Sequence, residues 1–323
     1  MRKWLFLACI TLSLHARRTA IEKLIEPPKV NEVQAPWLTG PLLAPSGITI
    51  PPGHYNIEPY IYATAITAKY DRDWKEVKTE TFWNNSFQPA LQFGLTDWLD
   101  FEIFPTLFYN YTKKAGKWVA ADMPMNFDIQ LYTHGKRVID WITSLKLVIK
   151  ETVPIGKYRN LNPRKLATDV GGQGSWQSAL GLVWGNCFYL GKDRFLTARV
   201  NLQYTLPAPV HVKNLNVYGG GPGTNGTVYP AQNFFFDIGT ELTLTKNWAF
   251  AMDIVGSWYG KARFKGKTIL PNKLPPATQF SLAPAIEYNW NGSLGIIFGP
   301  WFTVAGRNSV KFTSGVFAVN YYH

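Results

Sequence analysis

The sequence predicts an all-β chain, a transmembrane antiparallel β-barrel of about twelve strands, with roughly ten to fourteen as the range. Three observations predict it. Long segments alternate apolar and polar residues with period two, the connections between them alternate short and long, and tryptophans stand beside both kinds of connection.

The alternation is clearest in 195–206, FLTARVNLQYTL. There Leu196, Ala198, Val200, Leu202, Tyr204 and Leu206 oppose Thr197, Arg199, Asn201, Gln203 and Thr205, so an extended strand has one apolar and one polar face. The stretch 175–190 repeats the pattern more loosely, with Trp176, Leu180, Leu182 and Trp184 on one face. Gly191 to Arg194 is then the turn of an antiparallel hairpin. Strands of soluble sandwiches usually run about five or six residues and face bulk water. Runs of roughly ten or more, with aromatics near their ends, suit a wall between lipid and a wet lumen. A mean hydropathy of -0.11 agrees, because half of each such strand is polar.

In chain order, residues 1–16 read as a signal peptide: Arg2 and Lys3 precede the apolar run 4–14, which is too short for a membrane helix of roughly 20 residues. Its removal would leave Cys187 as the sole thiol and allow no intramolecular disulfide. Residues 17–53 form a proline-rich arm, with Pro36, Pro41, Pro45 and Pro51 at irregular intervals, and cannot be a central strand. The arm either plugs the barrel mouth or is a poorly ordered leader.

The barrel occupies 54–323, with strands at 54–70, 81–95, 99–111, 121–133, 139–153, 175–190, 195–206, 233–244, 248–262, 279–289, 293–304 and 309–322. Connections at 96–98, 134–137, 191–194, 245–247 and 290–292 are tight. Those at 70–80, 112–120, 154–174, 207–232 and 263–278 are long, and the last outer one, 305–308, is short. Short turns belong to the periplasmic side, so both termini are expected there. Trp98, Trp141, Trp248 and Trp290 flank tight turns, whereas Trp83, Trp118, Trp176 and Trp258 lie near long loops, which predicts two aromatic girdles.

Placing the apolar residues toward lipid puts their alternates in the lumen. The predicted pore lining is Glu58, Gln88, Gln92, Asp100, Glu102, Asn126, Asp128, Lys146, Lys150, Arg199, Asp237, Glu241, Asp253 and Glu287. Acids outnumber bases eight to three in this set. Such charges must be paired or hydrated, so they either brace a narrow barrel or, in a water-filled lumen, favour cations and neutral polar solutes.

The net charge of +12 has a different origin. Lys113, Lys114 and Lys117, then Lys157, Arg159, Arg164 and Lys165, then Lys261, Arg263, Lys265, Lys267 and Lys273 all fall in the long connections. They are either solvated surface or contacts to the phosphates of lipopolysaccharide. No basic helix or aromatic stacking platform accompanies them, so no nucleic-acid partner is expected. The run 218–226, YGGGPGTNG, lacks the strand before and helix after that a phosphate cradle needs, and is at most a lid or constriction. No histidine sits mid-wall beside a serine, and histidine and cysteine are too sparse for a metal cluster. No catalytic residue, metal or cofactor is expected; His211 is the one loop residue on which a hydrolytic site could be built.

The segment 92–105, QFGLTDWLDFEIFP, carries a resemblance through Gly94, Leu95, Thr96, Asp97, Leu99 and Asp100. It resembles the outer-membrane barrels of the meta-pathway phenol-degradation transporter family and, more distantly, the long-chain fatty-acid transporter barrels. The end of the chain departs from the usual terminal aromatic, since His323 follows Tyr321 and Tyr322. The resemblance implies a bacterial outer-membrane channel for passive entry of small solutes, hydrophobic or aromatic compounds among them, with no catalytic residues to carry over. A structural or adhesive barrel with a closed lumen and an outer-membrane hydrolase are the alternatives. The expected partners are outer-membrane lipid, lipopolysaccharide and a small-molecule solute; the residues leave the solute and the oligomeric state open.

Overall fold

Each alternating segment forms a strand, and neighbours pair antiparallel until the last strand meets the first. The computed structural model describes residues 36–134, 142–268 and 274–323; the expected signal peptide, the arm before Pro36, Trp141 and Lys273 lie outside the described residues.

The strands are β1 (Tyr55–Tyr70), β2 (Glu76–Thr96), β3 (Leu99–Ile103), β4 (Leu107–Tyr111), β5 (Gly116–Ala120), β6 (Met123–His134), β7 (Ile142–Val153), β8 (Gln177–Gly191), β9 (Arg194–Pro207), β10 (Val210–Lys213), β11 (Asn225–Tyr229), β12 (Asn233–Thr243), β13 (Trp248–Tyr259), β14 (Arg263–Lys267), β15 (Ala277–Asn289), β16 (Leu294–Arg307) and β17 (Val310–Tyr322). β1 pairs with both β2 and β17, which closes the sheet; Ile61 faces Phe87 on one side and Phe317 on the other. β4 pairs with β5 above the pairing of β3 with β6, so β3 with β4 and β5 with β6 are two interrupted strands. The wall therefore has twelve staves. Closing β1 onto β17 removes the edge of an open sheet, which is what a wall needs where no water can satisfy its amides, and among its described strands only the short β5 pairs on one side alone.

The faces follow the pleat. Leu182 and Leu202 face each other across β8 and β9 and are 43% and 42% exposed, while Val183 and Asn201, one residue on, are buried inside. Trp98, Trp248 and Trp290 are exposed at the short-turn end, and Trp118, Trp176 and Trp258 at the other, so two aromatic belts flank the apolar outer band. Trp83 is half-buried and stacks on Tyr111 instead. Prolines sit where the ladder yields: Pro59 faces Pro89, and the β15–β16 pairing lapses between Leu282↔Phe302 and Ile286↔Phe298, around Pro284 and Pro300. Neither member of such a pair has an N–H to leave unsatisfied.

Four expected connections differ. The loop placed at 70–80 is only the turn between Tyr70 and Glu76, where the Asp71 carboxylate accepts the amides of Asp73 and Lys75. The loop placed at 112–120 shrinks to a turn at Thr112–Ala115 followed by β5, which puts Lys113 and Lys114 in the turn and Lys117 in a strand. The connections 207–232 and 263–278 are not irregular: β10, β11 and β14 form a separate three-stranded sheet over the long-loop end. One face of it, Val210, Val212 and Val228, packs with Tyr158, Tyr218, Phe264 and Leu274. The run 218–226 belongs to this unit as the β10–β11 turn, where Gly219, Gly220 and Gly223 adopt positive φ that favours glycine.

Candidate functional site

Residues 36–53 run inside the barrel as a strap near its short-turn end. It enters beside Trp37, whose ring lies 4.4 Å from the Lys246 ammonium and whose carbonyl accepts from Asn289 Nδ2. From there it crosses the inner wall from β15 toward β3. Thr39 N–H donates to Glu287 of β15 (2.9 Å) and Gly40 N–H to Glu241 of β12 (2.9 Å). Leu43 and Ala44 N–H share the two oxygens of Asp253 on β13 (3.3 and 3.1 Å). Arg199 of β9 donates to the Ala44 carbonyl. Gln130 of β6 accepts from Thr49 N–H and donates to the Gly47 carbonyl, and Asp100 of β3 accepts Ile50 N–H at 2.8 Å.

The chemistry explains the composition of both partners. A buried chain that joins no sheet must find an acceptor for every amide it keeps, and a lost partner costs about 1–3 kcal/mol. Pro41, Pro45 and Pro51 remove amides from the strap; wall carboxylates take those of Thr39, Gly40, Leu43, Ala44 and Ile50, Gln130 takes that of Thr49, and the Ser46 hydroxyl that of Ile48. Charge-assisted hydrogen bonds of this kind are the stronger sort. Wall glycines make room: a Cβ at Gly94 would overlap the Pro51 carbonyl, one at Gly239 would lie 2.5 Å from Ala44 Cβ, and Gly185 lies against Gly47. Leu42 anchors the strap by packing among Ala251, Ala283, Ala285, Ile297, Val316 and Ala318.

Above the strap lies a cavity of about 850 Å³. Of the predicted lining, Glu58, Gln88, Gln92, Glu102, Asn126, Asp128, Lys146, Lys150 and Arg199 border it. Asp100, Asp237, Glu241, Asp253 and Glu287 do not. They point inward as expected, but four of them are covered by the strap amides that they bind, and Asp237 is fully buried beside them. The acidic excess read from the sequence therefore does not face the cavity, where three acids meet three bases. Lys146 pairs with Asp128 at 2.5 Å with both side chains buried, and half-buried Arg199 reaches from the cavity to the strap-covered Glu241 at 3.2 Å.

Part of the inner face is aromatic, among the polar residues. Tyr60 and Tyr62 stack at 5.7 Å, Phe104 borders the cavity, and Trp301 packs behind Leu42. These rings escaped the sequence reading because inward residues were sought among polar alternates; strict alternation from Glu58 would have placed both tyrosines inside. At the long-loop end a second cavity of about 290 Å³ lies under Tyr218, Leu274 and Pro230 and shares Gln177, Thr205 and Asn233 with the first. Tyr218 donates to the Gln173 carbonyl; burial, with the nearby Asp122 carboxylate, holds its phenol above the ordinary range.

The fold is shared with a solved outer-membrane channel. The crystal structure of an outer-membrane channel from Pseudomonas putida F1 superposes with a TM-score of 0.65 over 86% of this chain and 98% of that one, at 11% sequence identity. The β domain of the Bordetella autotransporter BrkA matches with a TM-score of 0.41 over 83% of this chain and 98% of that one (10% identity). The Pseudomonas putida toluene transporter TodX gives 0.38 over 83% and 88% (12% identity). No family model and no curated protein matches the sequence. The likeness to transporter barrels expected from 92–105 thus stands at the level of fold.

The structure also places the histidines. His54 stacks on Tyr322 with its ring nitrogen at the His323 carbonyl, and His211 lies in β10. Among the described residues no cluster of metal ligands is found. Cys187 is half-buried in β8, and no described residue forms a disulfide with it.

Proposed function

We propose that this chain is a bacterial outer-membrane channel through which small, largely neutral solutes diffuse, with its long loops outside the cell and its short turns in the periplasm. The carrying observation is a closed wall around a cavity of about 850 Å³ that abuts a second one beneath the loop sheet, which together make a path from the long-loop end to the strap. The shared architecture with the Pseudomonas channel supports this reading. The solute class follows from the lining. Stacked Tyr60 and Tyr62 with Phe104 offer ring faces, while Gln88, Gln92, Asn126 and Asn201 offer hydrogen bonds around the same cavity, an environment for an aromatic ring bearing a polar substituent. Balanced charge beside the cavity gives no preference for an ion.

The strap is the constriction, and solute passes when it yields. A closed structural barrel is the second reading, favoured by the buried Lys146–Asp128 pair, by the Arg199–Glu241 pair and by the strap itself. Liposome swelling and planar-bilayer conductance with the purified protein separate the two. A channel lets a small phenol swell vesicles faster than a sugar of similar size and carries a small steady current, which grows when residues 36–50 are deleted. A barrel that passes neither solute nor current, with or without those residues, is not a channel.

A further inference from the structure

We propose that the outward face of the β10–β11–β14 sheet binds the phosphate groups of lipopolysaccharide. This rests on the reading that the long-loop end faces outside, and it assigns a second role to the unit that roofs the outer cavity.

Register builds the face. Lys213 pairs with Asn225, which pairs with Lys267; His211 pairs with Thr227, which pairs with Lys265; Arg263 pairs with Tyr229. In an antiparallel sheet, directly opposed residues and residues two apart on one strand share a face. Lys213, Lys265, Lys267 and Arg263 therefore project together, and all four are exposed. The other face is apolar and shut: Val210, Val212 and Val228 are 3%, 0% and 0% exposed against Tyr158 and Tyr218. That packing fixes the backbone positions from which the four cations project, so the sheet itself need not be ordered on binding.

Sign and setting choose the occupant. Segments 154–174, 207–232 and 260–276 together hold ten lysines and arginines and a single acid, Asp169. That acid is buried and paired with Lys157, so nothing on the sheet neutralises the face. A flat array of amines and a guanidinium, with no apolar cleft between them, is suited to several phosphates held side by side, as in a phosphorylated glycolipid leaflet. A single anionic solute would occupy only part of it.

The experiment uses the full chain, purified in detergent, with lipopolysaccharide, with enzymatically dephosphorylated lipopolysaccharide, and with inorganic pyrophosphate as a soluble probe. Wild-type protein is expected to bind lipopolysaccharide with an affinity that falls as salt rises, and to bind the dephosphorylated form about tenfold less tightly. The Lys213→Gln/Lys265→Gln/Lys267→Gln variant should lose a similar factor, and the same three positions changed to arginine should restore it. Equal affinity for both lipopolysaccharides, tighter binding of pyrophosphate than of lipopolysaccharide, or an unchanged Gln variant would each overturn the proposal. Conductance measured on the same preparations keeps the readings apart, since the Gln variant should conduct as wild type does. Labelling of Lys213→Cys by an impermeant maleimide on intact cells, in a Cys187→Ser background, is expected, and absence of label would overturn the outward placement.

Discussion

Gly94 shows how one residue ties wall to strap. It lies in the GLTD segment that carries the family resemblance, its amide donates to the His54 carbonyl, and the Pro51 carbonyl occupies the place of its missing side chain. Six residues on, Asp100 takes the Ile50 amide and holds Gln92 through its Nε2 at 2.8 Å. The motif is thus legible as the exit of the strap. Gly94→Ala should lift the strap and speed its cleavage by added protease, whereas Gly315→Ala, with open space around its Cβ, should stay within about 0.5 kcal/mol of wild type. Equal protease sensitivity in the two variants would remove Gly94 from this role. Lys146 and Asp128 make a second test, because both side chains are 1% exposed. Lys146→Met alone strands a buried carboxylate and should lower stability to urea by about 3 kcal/mol, while adding Asp128→Leu should recover most of that loss.

Among elements, what could be read in advance was what obeys a period. β9 matches its expected span of 195–206 to within a residue at each end, because eleven alternating residues leave one register that buries the polar face. The strap obeyed no period: its bonds run from backbone amides to side chains distant in sequence, and only its prolines hinted that it was no strand. VHVK, NGTVY and RFKGK were read as loop because strands of four or five residues among glycines and lysines show no alternation long enough to count. The segment 154–174, expected as a long connection, is one: it holds no strand, and Asp122 and Asp169 accept its amides. Burial pushes the Asp169 carboxyl upward, but the Lys157 hydrogen bond and the Asn162 amide outweigh it and hold the group below the usual carboxylate range. Its contribution is present above the ordinary aspartate range and is lost as pH falls through the depressed value. Hydrogen exchange should find 154–174 protected at neutral and mildly acid pH and loosened only in strong acid. Asp169→Asn should loosen it already at neutral pH, and protection that tracks the ordinary aspartate range would contradict the paired carboxylate.

At the scale of the whole molecule, the barrel divides its inward charge between two tasks. Glu58, Glu102 and Asp128 border the cavity together with Lys146, Lys150 and Arg199, while Asp100, Asp237, Glu241, Asp253 and Glu287 lie against or beside the strap. With the strap in place a permeating ion meets a nearly balanced wall. Without it, Asp100, Asp253 and Glu287 lose the strap amides that cover them and face water in a low-dielectric tube, where their field is strong and no new base appears. Deleting residues 36–50 should therefore do more than raise conductance: it should turn a weakly selective pore into a cation-selective one. The reversal potential under a potassium chloride gradient reads this directly, and it should move back toward zero as pH is lowered and the freed acids protonate. The Asp253→Asn/Glu287→Gln pair in the deleted background should lessen the shift while the twelve-stave wall, whose ladders the strap does not complete, stays folded. A deleted barrel that conducts well but keeps the wild-type reversal potential would mean that these carboxylates are neutral or paired elsewhere, and that the strap governs pore width alone.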